Sequence, residues 1–134
     1  MNSHLIRSEY SSGMAFTTLL NGHAVITDSG VTDKGPRPKA LMLLALSGCT
    51  GIDVVNVLTK MRVPFSDLTI DIKGDLTDED PVTYHTMKIT YTIKIAETDR
   101  ARMERSVALS LDKCCGVAAM FRKFATLEKE IVYL

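Results

Sequence analysis

The sequence predicts an α+β fold with antiparallel sheet. Three observations predict it. Residues 66–73 and 83–95 alternate apolar and polar side chains with period two, the mark of strands with one wet face. Residues 38–62 form one long apolar run that opens on Pro38, which suits the first turn of a helix, and stops at Val63-Pro64. Residues 98–123 carry a second apolar stripe at helical spacing, so strands and helices come in blocks rather than in strict alternation.

The elements follow in chain order. Segments 3–10, 14–20 and 22–27 read as short strands, with Asn21-Gly22 as a type I′ hairpin turn between the last two. DSGVTDKGPRP, residues 28–38, is a loop rich in Gly, Pro and Asp. The helix from Pro38 to about Arg62 contains LMLLALSGCTGIDVV, in which Cys49 lies between Gly48 and Gly51. In the next two strands Leu68, Ile70 and Ile72, then Met87, Ile89, Tyr91, Ile93 and Ile95, share a face, and the acidic loop GDLTDEDP joins them. Thr98 with Asp99 starts the second helical region, whose stripe is Met103, Val107, Leu111 and Ala118, with Cys114 and Cys115 beside it. A break is expected near Asp112–Gly116, and residues 126–134 read as a closing strand. One sheet of about six strands would cover one side of the first helix and the second helical region another. Because that helix is apolar nearly all round, a partner subunit is expected to cover the rest.

The totals bound the function. A chain of 134 residues suits a single domain, 1–134, with a core that needs no disulfide staples. With 16 basic and 16 acidic residues there is no basic stripe, which argues against nucleic acid. The start, MNSHLIRSEYSSG, lacks the apolar core of a signal peptide, so a cytoplasmic chain is expected. Residues 40–58 are about long enough to span a bilayer, but Asp53 and Asn56 inside them argue against a membrane span.

Three cysteines in a reducing compartment point to working thiols or to plain buried ones rather than to a disulfide framework. Thr50-Gly-Ile-Asp53 matches a capping-box start. If the helix restarts at the glycines, Cys49 lies at the positive end of a dipole, which favours the thiolate. Asp112 offers the same cap to a segment starting Lys113-Cys114-Cys115. The two thiol sites, 66 residues apart, would meet across a helix–helix contact. Cysteine also serves as a small inert hydrophobe, and the residues alone leave both readings open. His4, His23 and His85 lack metal-ligand spacing, so neither metal nor cofactor is expected. Lys34, Arg37 and Lys39 read as a solvated face, or as an anion site at the helix entry.

Pro38 followed by LLALSGCTGIDVV and then KCCGVAAMF, with Cys49 and Cys115 in these motifs, resembles the OsmC/Ohr family, and most closely its uncharacterised OsmC-like subgroup. The resemblance covers nearly the whole chain. It implies an intertwined homodimer in which antiparallel sheets wrap long central helices. It implies thiol-dependent reduction of organic hydroperoxides: Cys49 attacks the O–O bond, Cys115 resolves the sulfenic acid as a disulfide, and an external dithiol restores both. Cys114 is then an extra thiol. The chain departs from the pattern at Pro38-Lys39-Ala40, which lacks the family's carboxylate, and at Ser12-Gly13-Met14-Ala15, which lacks its arginine. Arg7, Arg37 and Lys39 are the remaining candidates for a cation beside the thiol, although a straight helix puts Lys39 about 15 Å from Cys49 along its axis. That departure favours the alternative: a non-enzymatic OsmC-like protein that binds a small apolar molecule, with Met42, Met61 and Met120 as lining candidates, or senses redox state.

Overall fold

The computed structural model describes residues 2–134 as two compact units, one ending at Met42 and one running from Leu43 to Leu134. The α+β class holds.

In the first unit β1 (Ser8–Ser12), β2 (Ala15–Leu20) and β3 (His23–Thr27) form an antiparallel meander. The turn between β2 and β3 is built as expected. Asn21 and Gly22 both take positive φ, 52° and 80°, which a type I′ turn requires. β1 is shorter than the predicted segment 3–10. Ser8 pairs with Thr18 and β2 ends at Leu20, so residues 3–5 have no strand left to pair with. The loop after β3 is organised by the buried Asp28. Its carboxylate accepts from the Ser29 and Lys34 backbone N–H groups at 2.7 and 2.9 Å, and from the Thr32 hydroxyl at 2.6 Å. These bonds, the Thr32 hydroxyl foremost, hold its carboxyl below the usual carboxylate range.

The second unit is built on a sheet of β4 (Phe65–Leu76), β5 (Tyr84–Ile95) and β6 (Thr126–Tyr133). β4 and β5 form a long antiparallel hairpin with a register shift between Ser66 and Thr69, where Asp67 has φ 53°. The expected inward face is the core: Met87, Ile89, Tyr91 and Ile93 are fully buried. The outer face carries charge, as in the Lys88–Glu130 pair at 2.9 Å. Two sheet expectations are corrected. The strands form two three-stranded sheets rather than one of about six, and β6 runs parallel to β5. The segment between β5 and β6 is long enough to be helical, and such a crossover returns the chain in its original direction.

Helix α1 (Leu41–Lys60) follows a 3-10 turn at Pro38–Ala40. It is apolar on several faces but buries one stripe, Leu46, Thr50, Val54 and Leu58, at four-residue steps. Leu44 and Ile52 on other faces are 62% and 72% exposed. Residues 38–60 are long and apolar enough to cross a membrane by length and composition. Their polar members Thr50 and Asp53, however, are bonded by hydroxyl groups of this chain, as in a helix packed on a sheet. The second helical region is α2 (Arg100–Leu109), a π-turn (Ser110–Cys114) and α3 (Gly116–Phe121).

Candidate thiol site

The site lies within the second unit, where α1 and the α2–α3 junction pack on β5. Cys49 and Asp53 are four residues apart and therefore share a face of α1. Cys115 comes from the break between the π-turn and α3. Its N–H reaches back five residues to the Ser110 carbonyl at 2.7 Å, the widened turn that puts an extra residue into a helix. Cys115 itself is extended, at φ −79° and ψ 103°, and its thiol accepts from the Ala118 N–H at 3.3 Å. The result is one cluster: the ligand-bearing atoms of Cys49, Asp53 and Cys115 all lie within 4.8 Å of one another.

Behind the thiols runs a chain of buried hydroxyls. Thr50 Oγ1 lies 2.7 Å from Tyr91 Oη and 2.8 Å from Ser110 Oγ, and Ser110 Oγ donates to Asp53 Oδ2 at 2.9 Å. Thr50, Tyr91 and Ser110 are fully buried. The proton directions follow from counting hydrogens. A carboxylate only accepts, so the single Ser110 hydrogen goes to Asp53, the Thr50 hydrogen to Ser110, and the Tyr91 hydrogen to Thr50. Aligned hydroxyls of this kind polarise one another and fix the backbone elements that carry them. They tie α1, β5 and the π-turn together directly beside the thiols.

Burial, with Cys49 as neighbour, pushes the Cys115 thiol up to about 11, against the opposing Ala118 and Val117 N–H groups. It is therefore a protonated thiol at neutral pH. Burial likewise pushes the Tyr91 hydroxyl up to about 12, and negative charge on Cys115 or Asp53 adds to it.

Three local expectations are corrected. α1 does not restart at its glycines, so Cys49 sits mid-helix and the dipole argument for its thiolate does not apply. Asp53 is a partner of Ser110 rather than a cap for Thr50. Asp112 does not cap α3; the Cys115 thiol does, and Asp112 faces Arg122 at 3.5 Å. The Arg122 guanidinium also donates to the Leu111 carbonyl, bracing the π-turn. Cys114 is exposed. Of the candidate cations, Arg37 is paired with Asp33 at 2.7 Å, Lys34 donates to the Ser12 hydroxyl, Lys39 lies in the 3-10 turn before α1, and Arg7 precedes β1.

The comparisons decide the family. Residues 31–129 match the model of the OsmC family, described as OsmC-like protein. The chain belongs to the OsmC-like family. It is 30% identical over 118 residues to Protein YhfA of Escherichia coli K12, covering 87% of this chain and 88% of that protein. Its fold is similar to the crystal structure of a hypothetical protein from Aquifex aeolicus VF5, with a TM-score of 0.84 at 26% identity over 100% of this chain and 99% of that one. It is also similar to an organic hydroperoxide resistance protein OsmC from Legionella pneumophila, with a TM-score of 0.67 over 98% and 99% of the two chains. At 12% identity the latter likeness speaks for the fold alone.

The OsmC-like chain thus brings together the two predicted site residues, Cys49 and Cys115. Sequence reasoning missed the hydroxyl chain. Ser110 carried one signal: with Ser106 it sits at a four-residue step beside the apolar stripe of the second helical region, and both are fully buried. Thr50 and Tyr91 were visible only as a capping candidate and a strand residue, because their meeting depends on how α1 lies on β5.

Proposed function

We propose that this OsmC-like protein reduces organic hydroperoxides by a two-cysteine cycle. The Cys49 thiolate attacks the peroxide oxygen; an S–O bond forms, the O–O bond breaks, and the alcohol leaves with a proton, giving a sulfenic acid. Cys115 then attacks the Cys49 sulfur. An S–S bond forms, hydroxide leaves, and the proton held by the Cys115 thiol completes a water molecule. An external dithiol supplies the two electrons and two protons that restore both thiols. The observation that carries this reading is the convergence of Cys49 on α1 and Cys115 at the π-turn junction, 66 residues apart in sequence, into one cluster. Membership of the OsmC-like family is in line with it. A reducing cytoplasm suits the cycle, since both thiols must start reduced.

The proposal includes a homodimer, supported by the apolar side chains of α1 that stay exposed among the described residues, Leu44 at 62% and Ile52 at 72%. Burial favours a second reading as a redox sensor with little turnover: with Cys49 as neighbour it pushes the Cys115 thiol up to about 11, so little of it is thiolate at neutral pH. Hydroperoxide consumption under a dithiol reductant tests the main reading. Wild type should consume peroxide and Cys49→Ser should not; equal rates would refute it.

A further inference from the structure

Cys49, Asp53 and Cys115 do more than bring two thiols together. Their three ligand atoms lie within 4.8 Å of one another, two from a four-residue step on α1 and one from the π-turn junction. Sulfurs bound to one tetrahedral zinc, at 2.3 Å each, stand about 3.8 Å apart, so side-chain rotations of an ångström or less close the set. Outer-shell bonds are already in place. Ser110 donates to Asp53 Oδ2 at 2.9 Å and the Ala118 N–H donates to the Cys115 sulfur at 3.3 Å, the two kinds of bond that orient carboxylate and thiolate ligands. None of the ion pairs among the described residues involves Asp53. With both thiols ionised the cluster would carry three negative charges, and a divalent cation neutralises most of that charge in a partly buried place.

We propose that Cys49, Asp53 and Cys115 form a binding site for a thiophilic divalent cation of the zinc class, with a fourth position left open. The thiolate pair selects such ions over magnesium or calcium, which take oxygen ligands. Binding exchanges protons for metal: two metal–sulfur bonds form, any S–H bond at those sulfurs breaks, its proton leaves to solvent, and nothing is oxidised. Affinity therefore falls steeply with acidification. A Cys49–Cys115 disulfide removes both sulfur ligands, so metal binding and thiol oxidation exclude each other. Spacing offered no sign of this site, because its ligands come from α1 and from the distant π-turn junction rather than from histidines at short spacing.

The test is an anaerobic titration of the reduced full chain with Cd²⁺, without peroxide, following thiolate-to-cadmium absorption and proton release. The result expected is one Cd²⁺ per chain with thiolate-to-cadmium absorption and proton release, displacement by Zn²⁺, and an unchanged titration for Cys114→Ser. Cys49→Ser and Cys115→Ser should each weaken binding by about 100-fold or more, since even outer-shell losses cost 10–100-fold. Asp53→Asn, which preserves size and the bond from Ser110, should weaken it by about ten-fold or more. No thiolate-to-cadmium absorption in the wild type, or wild-type affinity in Asp53→Asn or in either cysteine variant, would overturn the proposal. The wild-type absorption needs no variant, so a misfolded mutant leaves the test intact. Peroxide takes no part, so failure here and failure of the reductase reading are separate results.

Discussion

Ser110→Ala probes the hydroxyl chain where it carries most. The Ser110 oxygen makes two bonds in a fully buried place, donating to Asp53 at 2.9 Å and accepting from Thr50 at 2.8 Å. Losing the first removes a hydrogen bond to a charged group, worth about 1.5–3 kcal/mol, although half-buried Asp53 recovers part of it from water. Losing the second strands a hydrogen. Thr50 can turn its hydroxyl toward Tyr91, but then the Tyr91 hydrogen has no acceptor, and one unsatisfied buried donor costs about 1–3 kcal/mol. The sum is about 2–4 kcal/mol. For a chain of 134 residues this lowers Tm by about 7–14 °C. Ser106→Ala is the internal control. Ser106 is equally buried, but its hydroxyl bonds only within its own helix turn, to the Met103 carbonyl at 2.7 Å and the Met103 sulfur at 3.7 Å. Its loss should cost about 1 kcal/mol or less. Thermal and urea unfolding followed by circular dichroism, at one fixed protein concentration, measures both variants. Equal losses for the two variants would refute the directional chain.

Other consequences follow from the same geometry. Stability should fall as pH rises from about 9 toward 11: an unfolded Cys115 thiol ionises near 9, the folded one near 11, so the folded state holds the proton the unfolded state has lost. Cys115→Ala should remove that share of the fall in urea midpoints, and an unchanged slope would contradict it. Gly74→Ala should destabilise by about 1–3 kcal/mol, because its Cβ would sit 2.6 Å from the Tyr84 ring, which is buried. Gly51→Ala meets only the terminal methyl of Ile70, at 3.1 Å, and gains about 1 kcal/mol of helix propensity, so its urea midpoint should hold or rise. A larger loss at Gly51 than at Gly74 would contradict both.

Periodicity made the second unit legible. Period-two alternation located β4 and β5 and named the buried face of β5, because each of those side chains faces either core or water. Asn21-Gly22 announced its turn for the same local reason. The break near Asp112–Gly116 was visible, but its form was not. A π-turn is set by how Cys115 and Arg122 are held rather than by propensity. Helix α1 shows the opposite limit. Its glycines suggested a restart, yet a helix packed along Leu46, Thr50, Val54 and Leu58 tolerates Gly48 and Gly51 without breaking. The parallel pairing of β6 was likewise set by the crossover and not by its own residues. At the site, the motifs gave Cys49 and Cys115, while Thr50, Tyr91 and Ser110 became partners only through tertiary packing.

The two-cysteine proposal requires Cys49 and Cys115 to act as a pair on peroxide. The most direct test is mass spectrometry of the reduced protein after one equivalent of an organic hydroperoxide, with peptide mapping. The expected product is a chain lighter by two hydrogens with a Cys49–Cys115 disulfide, and with Cys114 still a free thiol. Unreacted thiols at 49 and 115, or a disulfide formed through Cys114 instead, would contradict it.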